Sequence, residues 1–364
     1  MRAVVDSGTS AASPFRFGRL EVFMRRTLLI LTLCVFPVAG RAQSFKVVKV
    51  ADGVYAGIGL NGVFGNGAFI VNRDDVLVVD TQLRPSWARD FIAEIRKVTP
   101  KPVREVVNTH FHRDHSQGNQ AYVDAFGPDL EIIAQENTRT DMIEKNTIIL
   151  QQSMTTEYPN AIAQMEKQLA DGKDAEGNPL TGDARASLQH RIDLDKAYIA
   201  EIPQIRITPP TITYDRSLVL HKPDRDICLL HFGLGHTRGD TVVFLPKEKI
   251  VITGDLLTYN FPNMKNSYPV ELVTALEDID KLDWDYAIPG HGEVEQGKGQ
   301  LELLLSYMRD MVEAVKDAVS KGMTLDQAKQ TIDLSKYASI PGFVAGNPLA
   351  IERAYNEITG KPME

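Results

Sequence analysis

Hydrophobic and polar positions follow two periods along this chain, and the switches between them mark its elements. From residue 45 to residue 79 short apolar runs alternate with turns, punctuated by Gly57, Gly59, Gly65 and Gly67. Residues 68–71 and 76–79 flank Asn72-Arg73-Asp74-Asp75, which predicts a β-hairpin. Pro85 then opens a helix whose Trp87, Phe91, Ile92 and Ile95 fall on one face. Pro100 and Pro102 end it, and residues 103–107 read as a strand, an order that suggests α/β layering. Between about 131 and 205 the period changes. Tyr158, Ile162, Met165 and Leu169 recur at helical spacing, as do Leu188, Ile192 and Ile199. A loop at residues 171–179 separates the two groups, so the reading is a helical hairpin inserted into the α/β body. It serves packing, or forms a lid or wall over a site. Strands return over 211–220, 227–233, 241–245 and 250–253. Helices follow near 270–282, 300–320 and 325–332, the last with Thr324 and Gln327 at capping-box spacing. A short terminal helix is expected over 348–358. The domain reading is a leader over 1–42, an α/β domain over 43–299 and a C-terminal helical extension over 300–364.

Composition narrows this modestly. The 364 residues carry a net charge of −8, which argues against general nucleic-acid binding. Met24-Arg25-Arg26, an uncharged apolar run over 27–38 and the small residues Ala39, Gly40 and Ala42 predict a signal peptide over about 24–42, cleaved before Gln43. Export to the periplasm or beyond follows, without stable membrane insertion of the mature chain. Cleavage would leave Cys228 as the one cysteine, read as a small buried residue.

The chemistry concentrates in Asn108-Thr109-His110-Phe111-His112-Arg113-Asp114-His115, directly after a strand. Three of the chain's eight histidines and one carboxylate share six positions there. Imidazole and carboxylate suit zinc and its first-row neighbours. Three later segments each place one ligand-type residue past a strand and beside glycine: Gly235-His236, Gly254-Asp255 and Gly290-His291. His190, His221 and His231 read as structural or solvated; His221 is placed in a turn, and His231 inside a strand as the most buried of the three.

With that set in place, the chain resembles the metallo-β-lactamase superfamily, which also holds glyoxalase II and lactonases. The resemblance spans about residues 45–292 and implies a four-layer αββα sandwich with two metals at one edge. It implies His110, His112 and His236 as ligands of one metal, Asp114, His115 and His291 as ligands of the second, and Asp255 as a bridge. Asp80, after an early strand, would orient the histidine loop without touching metal. The expected cofactor is two zinc ions per chain, with iron and manganese as alternatives. The implied chemistry is attack by a metal-bound hydroxide, aimed by Asp114 as the catalytic carboxylate, on an ester, a lactone or an amide such as a β-lactam. The substrate is a small molecule. Lactamases of the cysteine-containing class have Cys where this chain has Asp255, and Lys where it has Thr258. Tyr259, Asn260 and Phe261 are candidate pocket residues. The alternatives are a glyoxalase II-like thioesterase, a di-iron sulfur dioxygenase and, from another class, a non-catalytic metal-binding module.

Overall fold

The computed structural model describes residues 43–363, so the expected leader lies outside the described residues. A seven-stranded sheet runs in chain order: β1 (Phe45–Ala51), β2 (Val54–Gly59), β3 (Gly67–Val71), β4 (Val76–Val79), β5 (Val103–Val107), β6 (Glu131–Gln135) and β7 (Ile212–Tyr214). β1 to β4 are antiparallel neighbours; β4 to β7 are parallel. A second sheet of six strands holds β8 (Ser217–His221), β9 (Asp226–Leu230), β10 (Val242–Leu245), β11 (Ile250–Gly254), β12 (Tyr286–Pro289) and β13 (Glu295–Gln296), in the order β13-β12-β11-β10-β9-β8. The helices are α1 (Pro85–Val98), α2 (Arg113–Ser116), α3 (Asn119–Phe126), α4 (Glu136–Glu144), α5 (Asn146–Gln152), α6 (Tyr158–Asp171), α7 (Gly182–Glu201), α8 (Pro269–Lys281), α9 (Gly299–Ser320), α10 (Leu325–Thr331) and α11 (Phe343–Ile358).

Period-two alternation explains why the sheets stack between helices. In β3, Ala68 and Ile70 enter the core between the sheets, while Phe69 enters the core under α1 and α3. In β11, Ile250 and Ile252 face the first sheet, while Val251 faces α8 and α9. Both faces of these strands are covered, which is why they read as continuous apolar runs. The outer helices contribute Trp87, Phe91 and Ile95 from α1, and Leu272, Leu276 and Ile279 from α8. Each such side chain contributes about 1.5–3 kcal/mol on full burial. The result is an α/β/β/α sandwich, as the resemblance implies.

Five expectations change. Residues 131–135 are not helical: they form β6, paired with β5 and β7, and the helical insertion starts at Glu136. The apolar run Ile132-Ile133-Ala134 is a buried strand whose brevity hid its type. The stretch 211–220 is not one strand but two, β7 and β8, and the chain changes sheet between them. Residues 300–364 do not stand apart. Leu304, Met308 and Met311 of α9 and Ile351 of α11 share one core with β10 and α8, and residues 43–363 lie in one compact unit. α11 begins at Phe343, so Pro348 lies inside the helix as its sixth residue, where it cannot donate the usual intrahelical hydrogen bond. Thr324 and Gln327 do form the capping box of α10. Cys228 is half-buried rather than buried, on a strand near the edge of its sheet. No helix among the described residues is long and apolar enough to cross a membrane.

Candidate metal centre

Strand direction brings the ligand-type residues together. β4 and β5 are parallel, β11 and β12 are parallel, and β9 runs the same way as β11 because two antiparallel pairings separate them. The loops past their C-terminal ends carry Asp80, the 110–115 segment, Asp255, His291 and His236. Gly254 ends β11 in the left-handed region (φ +52°), and a Cβ there would lie 2.5 Å from Thr109 Oγ1. A Cβ on Gly290 would lie 2.0 Å from Asp255 Oδ1. Glycine at both places lets three loops close on one point.

Two groups of ligand atoms result: His110, His112, His236 and Asp255, and Asp114, His115 and His291. His112 Nδ1 lies 3.0 Å from His110 Nε2 and 3.0 Å from His236 Nε2. Asp255 Oδ2 is 3.5 Å from His236 Nε2 and 3.4 Å from His291 Nε2. Its Oδ1 is 3.4 Å from His115 Nε2, so this one carboxylate reaches both groups. Asp114 Oδ2 is 3.3 Å from both His115 Nε2 and His291 Nε2. The seven ligand-type residues therefore lie close together in two groups.

The donor set fits divalent cations. Ligands about 2.0–2.1 Å from a tetrahedral zinc stand about 3.3 Å from one another, close to the spacings here. His115 Nε2 and Asp255 Oδ1 are buried with no hydrogen-bond partner, which is costly unless a cation satisfies them. Burial, with His115 and His112 nearby, holds His110 well below the usual imidazole range. Burial also pushes His236 down to about 3, against the pull of Asp255. Their lone pairs stay free. Burial alone would raise Asp114, but His115 and His291 hold its carboxyl well below the usual range. Burial likewise opposes the charged form of His291, yet Asp255 and Asp114 raise it to about 10.

Asp80 lies against the histidine loop. Its Oδ2 accepts from His115 Nδ1 at 2.8 Å and from Thr109 Oγ1 at 2.8 Å, and its Oδ1 accepts from the Thr109 amide at 2.8 Å. It holds both ends of the histidine loop from a left-handed backbone (φ 63°), a conformation that aspartate tolerates better than most residues.

Other partners carried no sequence signal. Asn266 Oδ1 accepts from His112 Nε2 at 2.9 Å, which turns the opposite ring nitrogen to the cluster. Asn66 Nδ2 donates to the carbonyls of Pro289 and Gly292, fixing the loop that bears His291. Arg113 Nη1 donates to Ser153 Oγ at 2.6 Å and Tyr198 Oη at 3.1 Å, tying the histidine loop to the insertion. Ser153 opens a π-helical turn, Ser153–Glu157, of the kind that often accompanies functional sites.

The cluster floors a cleft of about 500 Å3. Phe64, Ile149 and Glu157 wall one part of it, and Asn260, Phe261 and Lys265 another. The insertion is thus a wall of the cleft as well as a packing element. Of the three pocket candidates, Asn260 and Phe261 line the cleft, while Tyr259 lies outside the lining and is 50% exposed. The remaining histidines stay away. His190 is exposed on α7, and His221 ends β8 beside Asp226 rather than lying in a turn. His231 lies just past β9, half-buried, with Nδ1 against the Asp240 carbonyl.

Fold and cluster define the class, and sequence similarity agrees: the chain belongs to the metallo-beta-lactamase superfamily, whose family profile matches residues 60–291. Among individual proteins, it is similar to a linear primary-alkylsulfatase from a Pseudomonas species, 24% identical over 276 residues. That match covers 72% of this chain but 48% of the relative, so the chain spans about half the length of that protein. The solved structure of the inverting sec-alkylsulfatase Pisa1 from Pseudomonas sp. matches 88% of this chain and 51% of that one, at 15% identity and TM-score 0.61. A metallo-beta-lactamase from Pontibacter korlensis matches 73% of this chain and 99% of its own, at 16% identity and TM-score 0.51. At these identities the structural matches speak for the fold.

Proposed function

We propose that this protein is a metal-dependent hydrolase that cleaves an ester or amide bond in a small molecule, with alkyl sulfate esters as the leading class and lactones and β-lactams as the competing ones. The observation that carries this reading is the convergence of seven ligand-type side chains, one reaching both groups, on the floor of an open cleft. Two divalent cations held there would supply Lewis acidity and a hydroxide nucleophile at neutral pH, by lowering the pKa of water from about 15.7 towards about 7. Zinc is the proposed metal.

The chain's own residues supply the rest. Asp114, held ionised by its two histidine neighbours, would accept a hydrogen bond from the attacking oxygen and aim it. Lys265 on the rim of the cleft offers positive charge to an anionic substrate head, while Phe64, Ile149 and Phe261 offer apolar surface. That combination suits an amphiphilic anion, and the alkylsulfatase relative supports the same class. Thr258, where cysteine-class lactamases carry lysine, counts against the β-lactam among the competing substrates. The signal-peptide reading of residues 24–42 makes the periplasm the proposed location.

A panel of alkyl sulfates, lactones, carboxylic esters, thioesters and a chromogenic β-lactam, run with and without chelator, tests the reading. Chelator-sensitive turnover is expected, highest on alkyl sulfates. Turnover confined to thioesters, or an oxygen-consuming reaction with bound iron, would overturn it.

A further inference from the structure

The cleft does not end at the cluster. Asn260, Phe261 and Asn263 line it and also line a second groove of about 500 Å3. The far side of that groove is the N-terminal half of α11, through Ala345, Gly346 and Leu349. Phe261 divides the two spaces and is held firmly. Its amide donates to the Pro341 carbonyl at 2.8 Å, and its ring stands 5.1 Å from that of Tyr307. A Cβ on Gly346 would lie 2.2 Å from the Phe261 ring, so α11 is pressed against the loop that borders the cluster.

The two spaces differ in chemistry. The cleft carries Arg113, Asp114, Glu157, Asp255 and Lys265, whereas no charged side chain lines the groove. Leu349 remains 38% exposed at its edge. We propose that the groove receives the apolar tail of the substrate whose ester head sits at the cluster, so that α11 selects for chain length. The inference rests on the ester-hydrolase reading. Continuity names the occupant: a chain joined to a head at the cluster meets this uncharged surface immediately past Phe261. The chamber on the other side of the cleft, beyond Phe64, holds about 80 Å3 and would take only a short group.

Binding of 1-butanesulfonate and 1-decanesulfonate to the metal-loaded protein, measured by calorimetry, tests this without turnover. Each methylene fully withdrawn from water is worth about fourfold in affinity, so wild type should prefer the decyl compound by about tenfold or more. Ala345→Trp should abolish that preference and leave butanesulfonate binding unchanged. Leu349→Asp, at an exposed position, should weaken the preference as well, and Val344→Trp, outside the groove lining, should keep it. A wild type without preference, or an A345W protein that retains it, overturns the proposal. Length-dependent sulfonate binding without cleavage of any ester would leave the groove standing and remove the hydrolase reading. Ester cleavage with no dependence on chain length would do the reverse.

Discussion

A single side chain decides whether His112 presents Nδ1 or Nε2 to the cluster. Asn266 Oδ1 accepts a hydrogen bond from His112 Nε2, and His112 Nδ1 then stands 3.0 Å from both His110 Nε2 and His236 Nε2. Asn266→Ala should lower metal affinity about 10–100-fold, the usual cost of losing a partner of a ligating histidine. Competition with a chromogenic chelator measures this, and unchanged affinity would show that packing alone orients the ring. The ligand-type residues themselves were legible in the sequence, because three of them stand beside glycine past a strand and the other four share one short loop. Asn266 and Asn66 were not, because an isolated amide in a loop looks the same whether it meets solvent or holds an imidazole. Asp80 was visible only through its place after an early strand.

At the scale of elements, the insertion is fastened to the body at several points, two of which lie at Arg113 and Glu201. Arg113 reaches Ser153 and Tyr198, and Glu201 at the end of α7 accepts from the Ser86 amide and from Arg84 at the start of α1. Both Glu201 and Arg84 are largely buried. Removing one partner of such a pair strands the other charge, which typically costs about 3–5 kcal/mol. Glu201→Ala should therefore lower the thermal midpoint by several degrees and speed proteolysis in the 172–181 loop before the rest of the chain. Uniform proteolysis would mean the insertion does not open by itself. The paired helices α6 and α7 were legible from their period. The start of the insertion was not: Ile132 and Ile133 satisfy a helical and a strand pattern equally, and only pairing with β5 and β7 decides between them. The division of 211–220 was hidden for a similar reason, since a change of sheet needs only the two residues Asp215 and Arg216.

For the whole molecule, the four layers follow from which strands read as apolar on both faces, and the edge at which the sheets carry the cluster follows from strand direction. What the sequence could not convey is that the last helices complete the fold. Leu301, Leu304, Leu305 and Met308 of α9 are buried against the second sheet and α8. A chain ending at residue 299 would expose that apolar layer and should be recovered aggregated; a soluble, cooperatively folded 43–299 fragment would restore the idea of a separate extension.

The central claim is that distant loops cage a pair of divalent cations, and elemental analysis run alongside activity tests it most directly. Purified protein, reconstituted with zinc, should hold two ions per chain. His112→Ala and Asp255→Ala should each lose metal and hydrolysis together, Asp255→Ala from both groups because its carboxylate reaches both. Two ions retained by Asp255→Ala, or full hydrolysis by wild-type protein stripped of metal, would contradict the account.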